Sequence, residues 1–344
     1  MFHLRPAASL LLTLTFGAAG GTLFDLIGLP AGWLSGAMIV VALAALSRLP
    51  VELPGVMRNG LFVVLGLSMG AGVSPEVMSR ISQWPVSMAI LFLVVILVTL
   101  ATYAFLRLSA GWDKTSAYFG ALPGALSFVM ALAAETRSDL ARIAASQSIR
   151  LLILVVVLPY GVTGSTDHVM HGMERPVVPG AGQLALLASL CLAASLIAVR
   201  LRFPGGWLTG AFFMSSALNA SGTIPVALPE WVLVPCYIGL GCFIGCRFSQ
   251  TTWRSFLSMI GVGLGAVAVG LTVSAGAAWG VAHFLGLPFG QLLLAYAPGG
   301  LEVMTLLAFM LDLDPAFVAA HQLARYIGMV LLLPLVTALV LREK

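Results

Sequence analysis

The sequence predicts an all-α polytopic membrane protein of two inverted repeats, each with five transmembrane helices and one re-entrant hairpin. Three observations predict it. The 344-residue chain is 60% hydrophobic and only 9% charged, whereas soluble domains carry roughly a quarter charged residues. The same series of motifs occurs twice at a nearly constant offset. The basic residues gather on one side of a membrane only when each half crosses it five times.

Repeat 1 is expected over 1–163, a linker over 164–181 and repeat 2 over 182–344. Arg5 followed by "AASLLLTLTFGAAGG" has the look of a signal peptide. A matching apolar segment, 183–199, opens the second half, so the expectation is a retained first helix over 8–28. Further spans are expected over 31–48, 57–74, 86–108 and 139–162, then over 183–200, 205–221, 229–247, 256–284 and 315–341. Two more apolar stretches, 113–136 and 288–311, are broken at "ALPGALS" and "YAPGGLE" and are expected to be hairpins. The linker "TGSTDHVMHGMERPVVPGA" reads as a solvated loop; His168 and His171 within it are weak as a metal pair. Cys191, Cys236, Cys242 and Cys246 sit in apolar segments and read as small packing residues.

The duplication is explicit. "PAGWLSGAM" at 30–38 returns as "PGGWLTGAF" at 204–212, an offset of 174. From Leu53-Pro54 and Leu228-Pro229 onward the offset is 175, and it pairs Gly66, Gly70 and Ser74 with Gly241, Gly245 and Ser249. It also pairs Pro123-Gly124 with Pro298-Gly299, and Asp139, Gln147, Arg150 and Pro159 with Asp314, Gln322, Arg325 and Pro334. Trp33 and Trp207 follow a proline at a helix start, where an aromatic side chain anchors a helix to the interface. The glycines behind them, Gly36 and Gly210, permit close helix approach.

Orientation follows from charge. With hairpins that dip and return, and a cytoplasmic N-terminus, thirteen basic residues lie inside: Arg5, Arg48, Arg58, Arg107, Lys114, Arg137, Arg142, Arg200, Arg202, Arg247, Arg254, Arg342 and Lys344. Only Arg80 and Arg175 lie outside, and Arg150 and Arg325 lie within the membrane. Six crossings per half would leave eight inside and seven outside, which is no bias. The scattered cations form no stripe, so nucleic acid is not an expected partner.

The hairpin tips are the candidate site. Broken backbone inside a bilayer is tolerated where protein or a water-filled cavity satisfies it. The helix after each break also points the positive end of its dipole at the break. The tip residues are Pro123, Gly124 and Ser127 in one half and Pro298, Gly299 and Gly300 in the other. Arg150 and Arg325 lie near mid-bilayer, each three residues after a glutamine, Gln147 or Gln322. A central arginine costs at least about 2.5–3.5 kcal/mol on insertion scales. Two uses could offset that cost: tying hairpin carbonyls or Glu302 in place, or binding an anion, for which the guanidinium fork suits a carboxylate. Glu302, whose repeat partner is Ser127, is the strong asymmetry. It could exchange a proton, help to hold Na⁺, or serve as counter-ion to Arg325. Glu135, Asp312 and Asp314 sit at hairpin exits and read as caps or solvated charges.

The duplicated P-x-G-W-L-[ST]-G-A motif and the PG…Q-x-x-R pattern resemble the bacterial membrane AbrB family, which is built from a duplicated AbrB membrane domain. The resemblance covers nearly the whole chain. Members carry labels of ammonia monooxygenase or regulator of gene expression, and the name is shared with a soluble DNA-binding AbrB that this chain does not resemble. The plan of inverted five-helix repeats with hairpins also resembles cation/proton antiporters and anion secondary transporters, including citrate-type carriers. Those carriers have richer glycine tips than Pro123-Gly124-Ala125.

Oxygen chemistry on copper or iron needs clustered His or carboxylate ligands. The five histidines are dispersed, and only His321 lies beside the proposed core. The expectation is therefore a non-enzymatic secondary transporter of a small anionic solute, with no metal or cofactor and with Na⁺ or H⁺ as candidate coupling ions. Segments 113–162 and 288–341 would form a core moving elevator-fashion against a scaffold, where a homodimer contact is expected. The alternative is a membrane sensor that affects gene expression without net transport. The expected location is the bacterial inner membrane, with both termini cytoplasmic.

Overall fold

The structure, a computed structural model, describes residues 6–72, 84–123, 126–163, 180–223 and 226–340. Among these residues every regular element is helical. The long helices are α1 (Pro6–Leu26), α2 (Gly32–Leu46), α3 (Gly55–Met69) and α4 (Trp84–Ala104). Two short helices, α5 (Lys114–Ala121) and α6 (Leu126–Ala134), precede α7 (Leu140–Thr163). The order then recurs: α8 (Ala181–Arg200), α9 (Gly206–Ala220), α10 (Glu230–Gly245), α11 (Trp253–Leu285), the short pair α12 (Phe289–Tyr296) and α13 (Leu301–Met310), and α14 (Pro315–Val340). In the two stretches read as hairpins, one helix ends at Ala121 and the next begins at Leu126, and one ends at Tyr296 and the next begins at Leu301.

Among the described residues seven helices are long and apolar enough to cross a membrane: Ala7–Leu26, Trp84–Ser109, Leu140–Val162, Gly182–Arg200, Glu230–Gln250, Trp253–Leu285 and Pro315–Leu332. Three of the ten expected spans are shorter than their apolar sequence suggests. α2, α3 and α9 have 15 residues each, about 22 Å at 1.5 Å per residue, against a hydrocarbon core of about 30 Å.

For α2 and α9 the reason is local. α2 ends in a left-handed Arg48 (φ 60°) and α9 in a left-handed Gly222 (φ 67°). The next residues complete the same motif: Leu49 N–H donates to the Ala44 carbonyl at 3.1 Å, and Thr223 N–H to the Leu218 carbonyl at 3.2 Å. Both helices also start after a left-handed residue, Ala31 (φ 54°) and Gly205 (φ 59°). The positive-φ residues Gly28 and Arg202 end α1 and α8, and Gly111 and Gly286 precede the two hairpins. All four pairs fall at the repeat offset, so the duplication extends to backbone geometry.

The chain forms two compact units, each drawing on both halves. The first holds Met1–Arg80, His168–Trp253 and Thr305–Ala316. Its helices meet at glycines. A Cβ on Gly36 would collide with the Gly20 carbonyl of α1, and one on Gly210 would lie 2.6 Å from the Ala194 carbonyl of α8. Contacts between the repeated parts are reciprocal. Gly66 packs on the Leu208 carbonyl and Gly241 on the Leu34 carbonyl; Gly70 packs on Ser215 and Gly245 on Val41. Matching residues exchange roles, as they do across an isologous two-fold interface. Lipid provides no hydrophobic drive between helices, so small residues that allow backbone contact carry this packing.

The second unit holds Ile81–Asp167, Arg254–Met304 and Phe317–Lys344. It contains α4, α5, α6, α7, α12 and most of α11 and α14. Tyr118, Phe119, Leu122, Val129, Ala133 and Ile143 form a buried cluster that joins the first hairpin to α7, with Met329 of α14 beside it. Val98, Thr102 and Pro298 lie 3.5–3.6 Å from where a Cβ on Gly270 of α11 would stand, an ordinary contact distance.

Candidate functional site

The site is built on two breaks, each lying between a pair of short helices: α5 and α6, and α12 and α13. α5 begins at Asp113, whose carboxylate accepts the Ser116 N–H at 2.8 Å. Burial would raise the Asp113 pKa, but hydrogen bonds from Ser116 and Thr115 outweigh it and hold the carboxyl below its ordinary range. α5 stops at Leu122 and Pro123 because proline removes a donor and biases the preceding residue away from helix. In the second hairpin α12 stops at Ala297, and Pro298 lies inside a tight turn closed by Gly299 N–H on the Ala297 carbonyl at 2.8 Å. A Cβ on Gly299 would meet the Met304 side chain at 2.6 Å, so a larger residue here would have to displace that flexible side chain.

The Q-x-x-R segments of α7 and α14 face these breaks. Gln147 Nε2 donates to the Phe119 and Leu122 carbonyls, both at 3.3 Å. Arg150 Nη1 donates to the Leu122 carbonyl at 3.0 Å, and its Nη2 to Gln147 Oε1 at 2.6 Å. Gln322 Nε2 donates to the Leu294 and Ala295 carbonyls at 2.9 and 3.2 Å. Arg325 Nη1 donates to the Ala297 carbonyl at 2.7 Å, and its Nη2 to the Gly299 carbonyl and to Gln322 Oε1. Spacing explains the geometry: residues three apart share a helix face, so the amide can orient the guanidinium while both reach the tip.

The arginines are buried, at 8% exposure for Arg150 and 3% for Arg325. Among the described residues the buried Arg150 Nε has no hydrogen-bond partner. Among the described residues neither arginine has a carboxylate within ion-pair range. The guanidinium groups therefore tie carbonyls at the two breaks, and among the described residues they make no ion pair.

The sequence-derived residues divide accordingly. Gln147 and Arg150 reach the Leu122 carbonyl that precedes Pro123, and Arg325, held by Gln322, reaches the Ala297 and Gly299 carbonyls on either side of Pro298, while Gly300 faces Glu302 and Leu151. Gly124 and the side chain of Ser127 lie outside the described residues, as do His168 and His171. Glu302 occupies the first turn of α13, partly exposed. Its carboxylate stands 3.7 Å from where a Gly300 Cβ would be and acts electrostatically on Tyr326. It does not pair with Arg325, whose donors go to carbonyls and to Gln322. Asp314 caps α14 through the Ala316 N–H at 2.9 Å, and Asp139 caps α7 through the Arg142 N–H at 3.0 Å. Among the described residues no three His, Cys, Asp or Glu side chains gather as a metal centre would need.

Sequence reasoning missed one part of this region. His321 Nε2 lies 3.0 Å from Ser87 Oγ, which lies 2.9 Å from the Tyr296 hydroxyl. Ser274 Oγ donates to the Tyr296 carbonyl at 3.1 Å. All four side chains are buried. His321 was noticeable beside Gln322, but nothing in the run around Ser87 signalled a partner.

A family model described as transition state regulatory protein AbrB matches residues 33–341. An Escherichia coli (strain K12) protein carrying the provisional name of regulator AbrB is 25% identical over 312 residues, covering 90% of this chain and 89% of its own length. The uncharacterized protein YhjN of Bacillus subtilis (strain 168) is 25% identical over 348 residues, covering 93% of this chain and 90% of its own.

Proposed function

Since this chain belongs to the AbrB family, and within it has the make-up of a membrane protein, we propose that it is a secondary transporter of a small anionic solute. One observation carries the reading. Two buried guanidinium groups stand at paired helix breaks, and among the described residues neither makes an ion pair with a carboxylate. A mobile anion would supply the missing charge and take the Nε–H of Arg150. Broken helices that aim their dipoles at a central site are the general plan of secondary transporters.

The proposed layout is ten spans and two re-entrant hairpins in inverted repeats, with both termini on the cytoplasmic side of a bacterial inner membrane. The reciprocal glycine packing and the one-sided distribution of cations support it. The unit carrying both Q-x-x-R segments would be the moving body. The other would be the scaffold and the place for a homodimer contact. Glu302 is the sequence-derived candidate for coupling to Na⁺ or H⁺. The proposal includes no chemical step, and a stoichiometric copper or iron in purified protein would contradict it.

A second reading, a membrane sensor that affects gene expression, is favoured by the regulator name of the Escherichia coli relative. A thermal-shift screen of organic anions, with and without sodium and at two pH values, would find a bound solute, because a ligand of the folded form raises its melting temperature. Flux of that solute into proteoliposomes supports the transporter. Binding without flux supports the sensor.

A further inference from the structure

We infer that His321 is a proton-binding site coupled to the two arginines, so that one anion bound there draws one proton onto the imidazole. The inference rests on the anion reading above and adds its coupling ion.

The hydrogen bonding around His321 admits two protonation states at little structural cost. Nδ1 stands 2.8 Å from the Phe317 carbonyl, which can only accept, so Nδ1 carries a hydrogen. In the neutral ring Nε2 then accepts from the Ser87 hydroxyl at 3.0 Å. The Tyr296 hydroxyl donates to the Ser87 carbonyl at 3.1 Å. A proton taken from water onto Nε2 reverses one link: Nε2–H donates to Ser87 Oγ, whose own hydrogen turns to the Tyr296 oxygen 2.9 Å away. Tyr296 keeps its hydrogen on the Ser87 carbonyl. No polar atom of the chain loses its partner, and only one hydroxyl rotates.

Charge decides which state is occupied. α4, which brings Ser87, has no charged residue, and α12 brings only the Tyr296 phenol. On α14 itself Arg325 follows four residues later on the same face, and Tyr326, within electrostatic reach of Glu302, follows that. With the anion absent, a charged imidazole would add a third cation to two arginines that, among the described residues, make no ion pair. With the anion present, the local balance favours the extra proton, and linkage requires that the proton favour the anion equally. A purely structural role does not require this arrangement. The repeat counterparts of Tyr296 and His321 are Ala121 and Ser146, so the first hairpin stands without either ring.

The test is isothermal titration of the full chain in nanodiscs with acetate and with methanesulfonate, both largely ionised between about pH 6 and 8. Buffers of different ionisation enthalpy report protons taken up. The expected result is about one proton per anion, with affinity rising up to about tenfold for each unit of falling pH where the imidazole titrates. H321Q should bind the anion without proton uptake. S87A, which leaves the ring in place but removes the hydroxyl that receives the Nε2–H, should lose most of it and serves if H321Q does not fold. Anion binding without uptake in the native chain, or undiminished uptake in H321Q or in S87A, overturns this inference and leaves the anion reading standing. Failure of the native chain to bind either anion at any pH overturns both.

Discussion

Arg150 and Arg325, 175 positions apart, each set Nη1 on the carbonyl that precedes a hairpin proline: Leu122 at 3.0 Å and Ala297 at 2.7 Å. The second clamp is the tighter one. Its hydrogen bonds, with those from Gln322 and Ser274, engage the carbonyls of Leu294, Ala295, Tyr296, Ala297 and Gly299. A helix can be broken inside a membrane only if its freed carbonyls find such donors.

Arg325→Lys tests the clamp. An ammonium keeps the charge but is a point donor, and it cannot span Ala297, Gly299 and Gln322 as the fork does. The loss of one or two charge-assisted hydrogen bonds should cost about 1–3 kcal/mol. The matching Arg150→Lys has one carbonyl to lose and should cost less. Thermal unfolding in detergent measures both, and equal melting temperatures for R325K and the native chain would contradict the clamp.

The reciprocal glycines make a paired prediction. Gly66→Ala and Gly241→Ala each push a methyl onto a backbone carbonyl of α9 or α2, and overpacking of this kind costs about 1–3 kcal/mol. The two penalties should be similar, because the positions are equivalent. Gly60→Ala and Gly261→Ala meet open space and should be neutral or stabilising by up to about 1 kcal/mol. Unfolding of the four variants side by side checks both halves of the statement.

Side-specific labelling tests the inverted layout. Ser138 and Leu313 occupy matched positions after the two hairpins. S138C should react with an impermeant thiol reagent only from the cytoplasmic face, and L313C only from the opposite face. The described native cysteines are buried or partly buried, which keeps the background low. Labelling of both from one side would remove the inversion and, with it, the central site.

The α5 cap gives a pH dependence. The Asp113 carboxylate is held below its unfolded value, so it stabilises the fold above that value, near pH 3.9. The contribution disappears as pH falls through the lower folded value. D113A should cost about 0.5–1 kcal/mol at pH 7, near the low end for a cap because the carboxylate is exposed to solvent. The difference from the native chain should shrink below about pH 4. A difference that grew in acid would give the cap the wrong sign.

Much of this was legible in one dimension. Hydropathy located every described helix, and the offset of 174–175 paired Gln147 with Gln322 and Arg150 with Arg325 before any geometry was known. The short α2 and α9 were not legible as such. Gly222 is a recognisable helix stop, but its counterpart Arg48 takes up the same left-handed turn, and an arginine does not advertise one. For Glu302 the sequence left a pairing with Arg325 open beside proton exchange or Na⁺ binding. A carboxylate and a guanidinium in one apolar stretch suggest a pair, whereas Arg325 is committed to backbone carbonyls.

The sequence by itself determined the helical class, the membrane setting, the duplication and the Pro-Gly breaks, because each depends on composition or spacing along the chain. Only the tertiary structure decided where the buried polar groups find partners. His321 reaches Ser87 across 234 positions, and Ser87 reaches Tyr296 across 209. Inside a low-dielectric interior a polar group must be satisfied by whatever neighbour the packing supplies, and that neighbour is a property of three-dimensional adjacency which no local pattern encodes.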